Sequence, residues 1–128
     1  MVWGVNQEGF YGTEVHGGEL RWTNGAAQLI VPLNQERLPQ FLQVEIALTG
    51  PKGAKLQVLV NDCELFQEWI PTGKWSHVFS LRGCQLGDRA VIKLLSDTFV
   101  PKESIPGSQD TRTLGVRAGQ LQLVGAPW

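Results

Sequence analysis

The chain has little charge, and the charges that it has nearly cancel. Its 128 residues include 11 Lys and Arg against 12 Asp and Glu, which gives a net charge of −1. Nonspecific binding to nucleic acid requires a basic surface, so we expect no nucleic-acid partner. The longest apolar runs are too short to cross a bilayer, so we expect no insertion into a membrane. No basic stretch followed by an apolar one opens the sequence, so no signal peptide is visible. Either the chain is cytoplasmic, which is the default expectation, or it is a domain of a longer protein whose targeting segment is missing.

Cysteine and histidine are scarce, with two of each. Cys63 and Cys84 show neither the spacing of a disulfide scaffold nor that of a zinc site. If the strands between them form a meander, both lie at one end of it, and a disulfide is sterically allowed at a Cα separation below ~7 Å. Without a visible signal peptide, we expect reduced thiols. His16 and His77 adjoin no recognisable nucleophile motif, so we expect no catalysis.

Helix signals are scarce, whereas turn signals are frequent. No window has apolar residues at helical spacing for three turns, and 15 Gly and 7 Pro divide the chain into short segments. Alternating apolar and polar residues predict strands over 19–22, 26–31, 41–48, 55–60, 64–70, 75–81, 89–95, 114–116 and 121–124. Asn24-Gly25 predicts a tight hairpin between the first two. The pattern predicts one all-β domain over residues 1–128, an antiparallel two-sheet β-sandwich with the arrangement of a jelly roll.

One long segment, residues 96–113, interrupts this rhythm with few apolar residues and with Pro101 and Pro106. Long segments without regular structure are uncommon in compact domains and often carry function. A sandwich also needs a long crossover between its sheets. Both interpretations remain open.

Several short motifs resemble those of a known family. They are Gly9-Phe10-Tyr11, Glu14, Leu20-Arg21-Trp22-Thr23, Val60-Asn61-Asp62, Ser96-Asp97 with Phe99 and Pro101, and the run from Asp110 to Val116. Together they resemble an accessory β-sandwich domain of bacterial surface-polysaccharide biosynthesis proteins, often attached to glycosyltransferases. That domain is similar in plan to carbohydrate-binding modules. The resemblance implies a glycan-associated role and no catalytic residues.

The five tryptophans suggest how a sugar would be bound. A pyranose has an apolar face that packs on an indole ring, while polar side chains hold its hydroxyl groups. Trp69 and Trp75 flank one turn and could emerge together beside Lys74, and Tyr11 is a further candidate. Any single Trp is more often packed in a core, as we expect for Trp22. The terminal residues Trp3 and Trp128 could instead cover a sheet edge or an oligomer contact.

Acidic residues raise the question of a structural Ca²⁺, although we expect no other cofactor. Glu8 or Glu14 together with Asp97 or Asp110 could supply the oxygen ligands that Ca²⁺ requires. The simpler interpretation is ion pairing, Asp110 with Arg112 and Glu14 with Arg21, since Arg pairs readily with carboxylates. We favour the ion pairs.

The sequence supports three hypotheses about function. The first is a noncatalytic carbohydrate-binding or glycan-associated accessory module. The second is a structural or protein-interaction domain that forms a homo-oligomer through exposed strand edges and terminal tryptophans. The third is a small hydrolase or isomerase, which requires acids that converge in a cleft.

Overall fold

The computed structural model describes residues 7–11 and 21–125. Within these ranges the chain forms eight strands and one short helix. They are β1 (Gln7–Phe10), β2 (Arg21–Pro32), β3 (Phe41–Leu48), β4 (Ala54–Val60), β5 (Cys63–Ile70), β6 (Trp75–Ser80), β7 (Arg89–Ser96), α1 (Pro101–Ser104) and β8 (Arg117–Val124). The predicted all-β class is therefore confirmed. In the described part of the chain, no helix is both long and apolar enough to span a bilayer.

All strand pairs are antiparallel, and β2 joins them into one sheet. The order is β5-β4-β7-β2-β8-β3-β6, with β1 also paired to β2. Residues 26–32 of β2 pair with β7, whereas Arg21 and Trp22 pair with β8. The sheet curves until it is nearly closed, and side chains of the two end strands meet where the Phe66 and Trp75 rings lie 5.0 Å apart. The finer division into two packed sheets with jelly-roll topology stays a prediction.

The hairpin predicted at Asn24-Gly25 is wrong. Strand β2 passes through both residues, and its partner changes there from β8 to β7. Gly25 has φ +97°, and the Asn24 Oδ1 accepts a hydrogen bond from the Ala26 amide at 3.0 Å. These are properties of turns, but here they produce a bend within a continuous strand.

The core lies on the inward face of the sheet, and the predicted alternation describes it well. Each fully buried aliphatic side chain contributes about 1.5–3 kcal/mol relative to an exposed one. Leu48 continues the alternation of β3 but is an exception, because it lies at the end of the strand and is 39% exposed. The alternating strands β3 and β4 fully bury Leu42, Val44, Ile46, Leu56, Val58 and Val60.

The prediction of reduced thiols is wrong, because Cys63 and Cys84 form a disulfide with a Cα separation of 5.5 Å. The separation satisfies the predicted limit, but the meander assumed for it is wrong, because β5 pairs with β4 and β6 pairs with β3. The Asn61 side chain holds the loop after β6 by donating hydrogen bonds to the Gln85 and Arg89 carbonyls at 3.1 and 3.0 Å. The expectation of free thiols rested on the compartment and not on this geometry.

Residues 96–113 form the crossover from β7 to β8. The segment contains α1, and Phe99 and Leu114 form an isolated antiparallel bridge with two backbone hydrogen bonds of 2.8 Å. The Lys102 amide also donates to the Asp110 carbonyl at 2.8 Å. These bonds fix one side of the segment against the sheet, so its other side can form a wall.

Candidate functional site

A groove of about 810 Å³ lies between the turn of residues 50–53 and the segment 97–104. We call it the Trp69 groove. It combines one large aromatic surface with charged and hydroxyl-bearing side chains. Its lining residues are Gly50, Pro51, Lys52, Gly53, Trp69, Asp97, Thr98, Phe99, Val100, Glu103 and Ser104.

Trp69 supplies the aromatic surface, and strand alternation points it outward. Its neighbour Ile70 is buried in the core, so Trp69 must face the opposite side of β5. The side chain is 60% exposed, which is a large exposure for tryptophan. The indole ring lies on the Gly53 backbone, where a β-carbon would stand 2.6 Å from its Cζ2. The ring is therefore both accessible and supported from below.

Phe99 anchors the opposite wall of the groove. A β-carbon built on Gly50 would stand 2.8 Å from the Phe99 Cδ1, so the phenyl ring lies directly on this glycine. On its other side, Phe99 meets Trp22 in an edge-to-face contact with ring centroids 5.6 Å apart. Such contacts are worth about 0.5–1.5 kcal/mol beyond the area that they bury. The half-buried Trp22 thus packs, in agreement with the expectation.

Asp97 places a fixed carboxylate at the edge of the groove. Its Oδ2 accepts a hydrogen bond from the Lys55 amide at 2.9 Å, and its own amide donates to the Lys55 carbonyl at 3.2 Å. The Ser96 hydroxyl donates to the Asp97 carbonyl at 3.0 Å. The Asp97 Oδ1 makes no hydrogen bond with any described residue, so it remains available to accept one from a ligand.

Tyr11 lies elsewhere, in a small cluster around Arg112. The Tyr11 hydroxyl donates to the Thr113 carbonyl at 2.9 Å, and the Arg112 guanidinium lies 5.2 Å from the centre of the ring. Arg112 Nη2 is 2.8 Å from Asp110 Oδ2, which confirms the predicted ion pair. Side-chain and then backbone hydrogen bonds from Arg112 hold the pKa of Asp110 below its usual value. Tyr11 therefore joins β1 to the crossover and does not line the Trp69 groove.

Trp75 and Lys74 also lie outside the groove. The half-buried Trp75 packs on Phe66 at 5.0 Å and on the buried Phe79 at 6.3 Å, beside the core. Lys74 is exposed in the turn that precedes β6. Of the four residues predicted to bind a ligand, only Trp69 lines this groove, and a ligand role for any of them stays a prediction. The exposed His77 stacks on Trp75 at 6.3 Å.

No group of three or more His, Cys, Asp or Glu side chains that could hold a metal occurs in residues 7–11 and 21–125. The Asp97 carboxylate accepts a hydrogen bond from the Lys55 backbone amide, and the Asp110 carboxylate pairs with Arg112. The remaining predictions concern Glu14 and its pairing with Arg21, together with His16, Trp3 and Trp128. Glu14, His16, Trp3 and Trp128 lie outside the described ranges, so the pairing of Glu14 with Arg21 stays a prediction.

Sequence reasoning did not single out Lys52, Thr98 or Glu103 as site residues. Two signals pointed to their neighbourhood: the Gly-Pro-Lys-Gly turn at residues 50–53 and the unusual length of the segment 96–113. Neither signal indicates that the turn and the segment face each other. That placement follows from the Phe99–Gly50 contact, which joins positions almost fifty residues apart.

None of the models of known protein families matches this chain, and no curated protein is significantly similar to it in sequence. The resemblance to polysaccharide-associated accessory domains therefore rests on the quoted motifs alone. In the structure, several motif residues hold the bend of β2. Gly9 lies against the Ala26 carbonyl, and the Thr23 hydroxyl accepts a hydrogen bond from the Val116 amide at 3.1 Å. These positions have an architectural role.

Proposed function

We propose that this chain is a noncatalytic module that binds carbohydrate in the Trp69 groove. The observation that carries the proposal is an indole ring, 60% exposed and supported by a glycine backbone, beside a carboxylate oriented by the chain. An exposed, rigid aromatic surface with polar groups at its edge is the arrangement that the two faces of a pyranose require. The motif resemblance adds a second, weaker reason.

Each polar group of the groove would have a defined task. The Asp97 Oδ1 and the Glu103 carboxylate would accept hydrogen bonds from sugar hydroxyl groups, while the Lys52 ammonium would donate them. The hydroxyl groups of Thr98 and Ser104 can do either. The groove is open, and only one of its two aromatic rings, that of Trp69, is exposed, so we expect weak binding, with a dissociation constant of about 0.1–1 mM.

We propose binding without cleavage. A glycoside hydrolase needs two carboxyl groups on opposite sides of the scissile bond, one of which is kept protonated by a sheltered environment. Asp97 and Glu103 are the two carboxylates of the groove, and both are exposed to solvent. An assay for newly formed reducing ends tests this point, and their appearance in the presence of purified protein would favour the hydrolase hypothesis.

A glycan array tests the proposal. The wild-type protein is compared with Trp69→Ala and with Leu38→Ala, which removes another exposed apolar side chain, 39% exposed, outside the groove. We expect the wild-type protein and Leu38→Ala to bind the same glycans and Trp69→Ala to bind none. Circular dichroism establishes that all three proteins are folded. Equal binding by Trp69→Ala, or no glycan bound by the wild-type protein, would contradict the proposal.

The disulfide supports a related proposal about the compartment. Disulfides persist in oxidising environments and are rare in the cytosol. We therefore propose that this protein folds in an oxidising compartment, in contrast to the default expectation of a cytoplasmic location. Alkylation of free thiols during lysis of the source cells tests this. Unlabelled Cys63 and Cys84 are expected, whereas full labelling of both would contradict it.

A second candidate function is self-association through strand edges. Strands β5 and β6 lie at the two ends of the sheet. Each has one edge without a strand partner in the described part of the chain. Unpaired edges are sites where another chain can add a strand. Light scattering over a range of protein concentrations tests it, with a stable dimer or larger species expected and a monomer throughout as the contrary result.

A further inference from the structure

A second depression adjoins the Trp69 groove on the outward face of β4, β5 and β7. Its volume is about 230 Å³, and we call it the Gln67 trough. Asp97 borders both the trough and the groove. The lining residues of the trough are Lys55, Gln57, Gln67, Leu95, Ser96 and Asp97.

The strand register sets the spacing between the two depressions. Trp69 pairs with Lys55, and Gln67, two residues earlier in β5, pairs with Gln57. Gln57 also pairs with Leu95 of β7. Residues two apart on a strand point to the same face and lie about 7 Å from each other. The Trp69–Lys55 and Gln67–Gln57 pairs thus follow one another on a single surface, with Trp69 at its end.

The chemistry of the trough resembles that of the groove but contains no aromatic ring. Leu95 is half-buried and gives an apolar floor, and the amides of Gln57 and Gln67 stand beside it. The Gln57 Nε2 donates to Glu64 Oε1 at 2.8 Å, which orients this amide and leaves its carbonyl oxygen able to accept. The Gln67 side chain is exposed and makes no hydrogen bond with another described residue, so both its donor and its acceptor are available.

Charge indicates which class of saccharide fits. Lys55 and Asp97 carry opposite charges, and the other side chains of the trough are uncharged. Amide groups donate and accept hydrogen bonds with hydroxyl groups without favouring either sign of charge. An uncharged sugar unit therefore suits this surface better than an acidic or a basic one.

We propose that the site accepts an extended, neutral oligosaccharide rather than a single sugar. One unit stacks on Trp69, Asp97 accepts a hydrogen bond at the junction, and the following units lie in the Gln67 trough between the two amides. This inference rests on the proposed function, because it assigns a second part to the same site. It also predicts that the two parts can be separated by mutation.

The experiment measures how affinity depends on the length of the saccharide. The probes are neutral oligosaccharides of one to six units, namely α-1,4-linked glucose, β-1,4-linked glucose and β-1,4-linked mannose. Each is titrated into the wild-type protein, Gln67→Ala, Trp69→Ala and Gln43→Ala, and binding is followed by NMR shifts. Gln43 is a matched control, because it lies on the outward face of β3 and borders neither depression.

For at least one series, we expect the affinity of the wild-type protein to rise about tenfold or more between one and four units. Gln67→Ala should remove this rise and leave the binding of a single unit unchanged, Trp69→Ala should abolish both, and Gln43→Ala should change neither. If Trp69→Ala abolishes binding but Gln67→Ala keeps the full dependence on length, this inference is wrong and the proposed function stands. If the wild-type protein binds none of these neutral probes, this inference is wrong, and the glycan array decides separately whether the proposed function stands.

Discussion

The indole of Trp69 rests on the backbone of Gly53. A β-carbon on Gly53 would stand 2.6 Å from the indole Cζ2 and 2.5 Å from the Ile70 carbonyl oxygen. Gly53 also has φ +81°, a conformation that other residues adopt only at a cost. A single glycine thus satisfies a turn and supports the proposed binding surface.

The first prediction follows from this contact. Gly53→Ala should displace the indole ring and lower the free energy of unfolding by about 1–3 kcal/mol, from backbone strain and overlap. Saccharide affinity should fall as well. Gly73→Ala is the matched control, because Gly73 has φ +102° and no atom within 4 Å of the added carbon. It should lose stability from strain alone and keep its affinity. Equal affinities for the two variants would show that the Gly53 contact does not position Trp69.

The second prediction concerns the disulfide. Cys63 and Cys84 are 21 residues apart in sequence, and a cross-link of this span stabilises a fold by about 3 kcal/mol through the unfolded state. The double variant Cys63→Ala, Cys84→Ala should lose about this amount in urea denaturation. Its saccharide binding should persist, because neither cysteine borders the Trp69 groove. A double variant as stable as the wild-type protein would contradict this account.

The third prediction concerns Thr23 at the bend of β2. The Thr23 side chain is fully buried, and its hydroxyl accepts a hydrogen bond from the Val116 amide at 3.1 Å. Thr23→Val keeps the shape but leaves this buried amide without an acceptor, which should cost about 1–3 kcal/mol of unfolding free energy. Thr111→Val, at an exposed position, should cost less than about 0.5 kcal/mol. Denaturation of both variants measures the difference, and similar losses would argue against a role for the hydroxyl.

The fourth prediction concerns pH. Hydrogen bonds from Arg112 lower the pKa of Asp110 from its ordinary 3.8, so the folded state favours the ionised carboxylate. The stability that this pair contributes is fully present well above pH 3.8, begins to decline as the pH falls below 3.8, and is lost below the folded-state pKa. The difference in unfolding free energy between the wild-type protein and Asp110→Asn should shrink over that range. A difference that does not change between pH 7 and pH 2 would contradict the pairing.

A matched variant sharpens the pH experiment. Asp88 is exposed, and its carboxylate makes no hydrogen bond with a described residue. Asp88→Asn should therefore have nearly the wild-type stability at neutral pH. A comparable loss in Asp88→Asn would mean that the change of net charge, and not the Arg112 contact, is being measured.

The strands were largely predictable because their signals are local. Strand β3 covers Phe41–Leu48 as predicted, since its alternation is clear and Pro39 and Gly50 bound it on either side. The hairpin prediction at Asn24-Gly25 was wrong for a reason that is also physical. A positive φ at glycine suits a hairpin turn and also a bend inside a strand, and only the long-range partners β7 and β8 distinguish the two.

The site was only partly predictable. Trp69 and Trp75 flank one turn, yet they lie on different faces, because Ile70 directs Trp69 outward while the buried Phe79 brings Trp75 inward. A register shift opposite Val58 and Leu59 further disturbs the alternation along β5. Asp97 is predicted only as a possible Ca²⁺ ligand, and Glu103 has no predicted role. Their place beside Trp69 depends on how the crossover packs against a distant turn, and no local pattern encodes that packing.

The most direct test of carbohydrate binding at Trp69 is the indole N–H spectrum of the ¹⁵N-labelled protein during titration with a glycan identified on the array. Trp69→Phe assigns the signal by its disappearance. We predict a saturable shift of the Trp69 signal, while the signals of the packed Trp22 and Trp75 stay in place. A saturable shift of the Trp75 signal with the Trp69 signal unmoved would contradict the account.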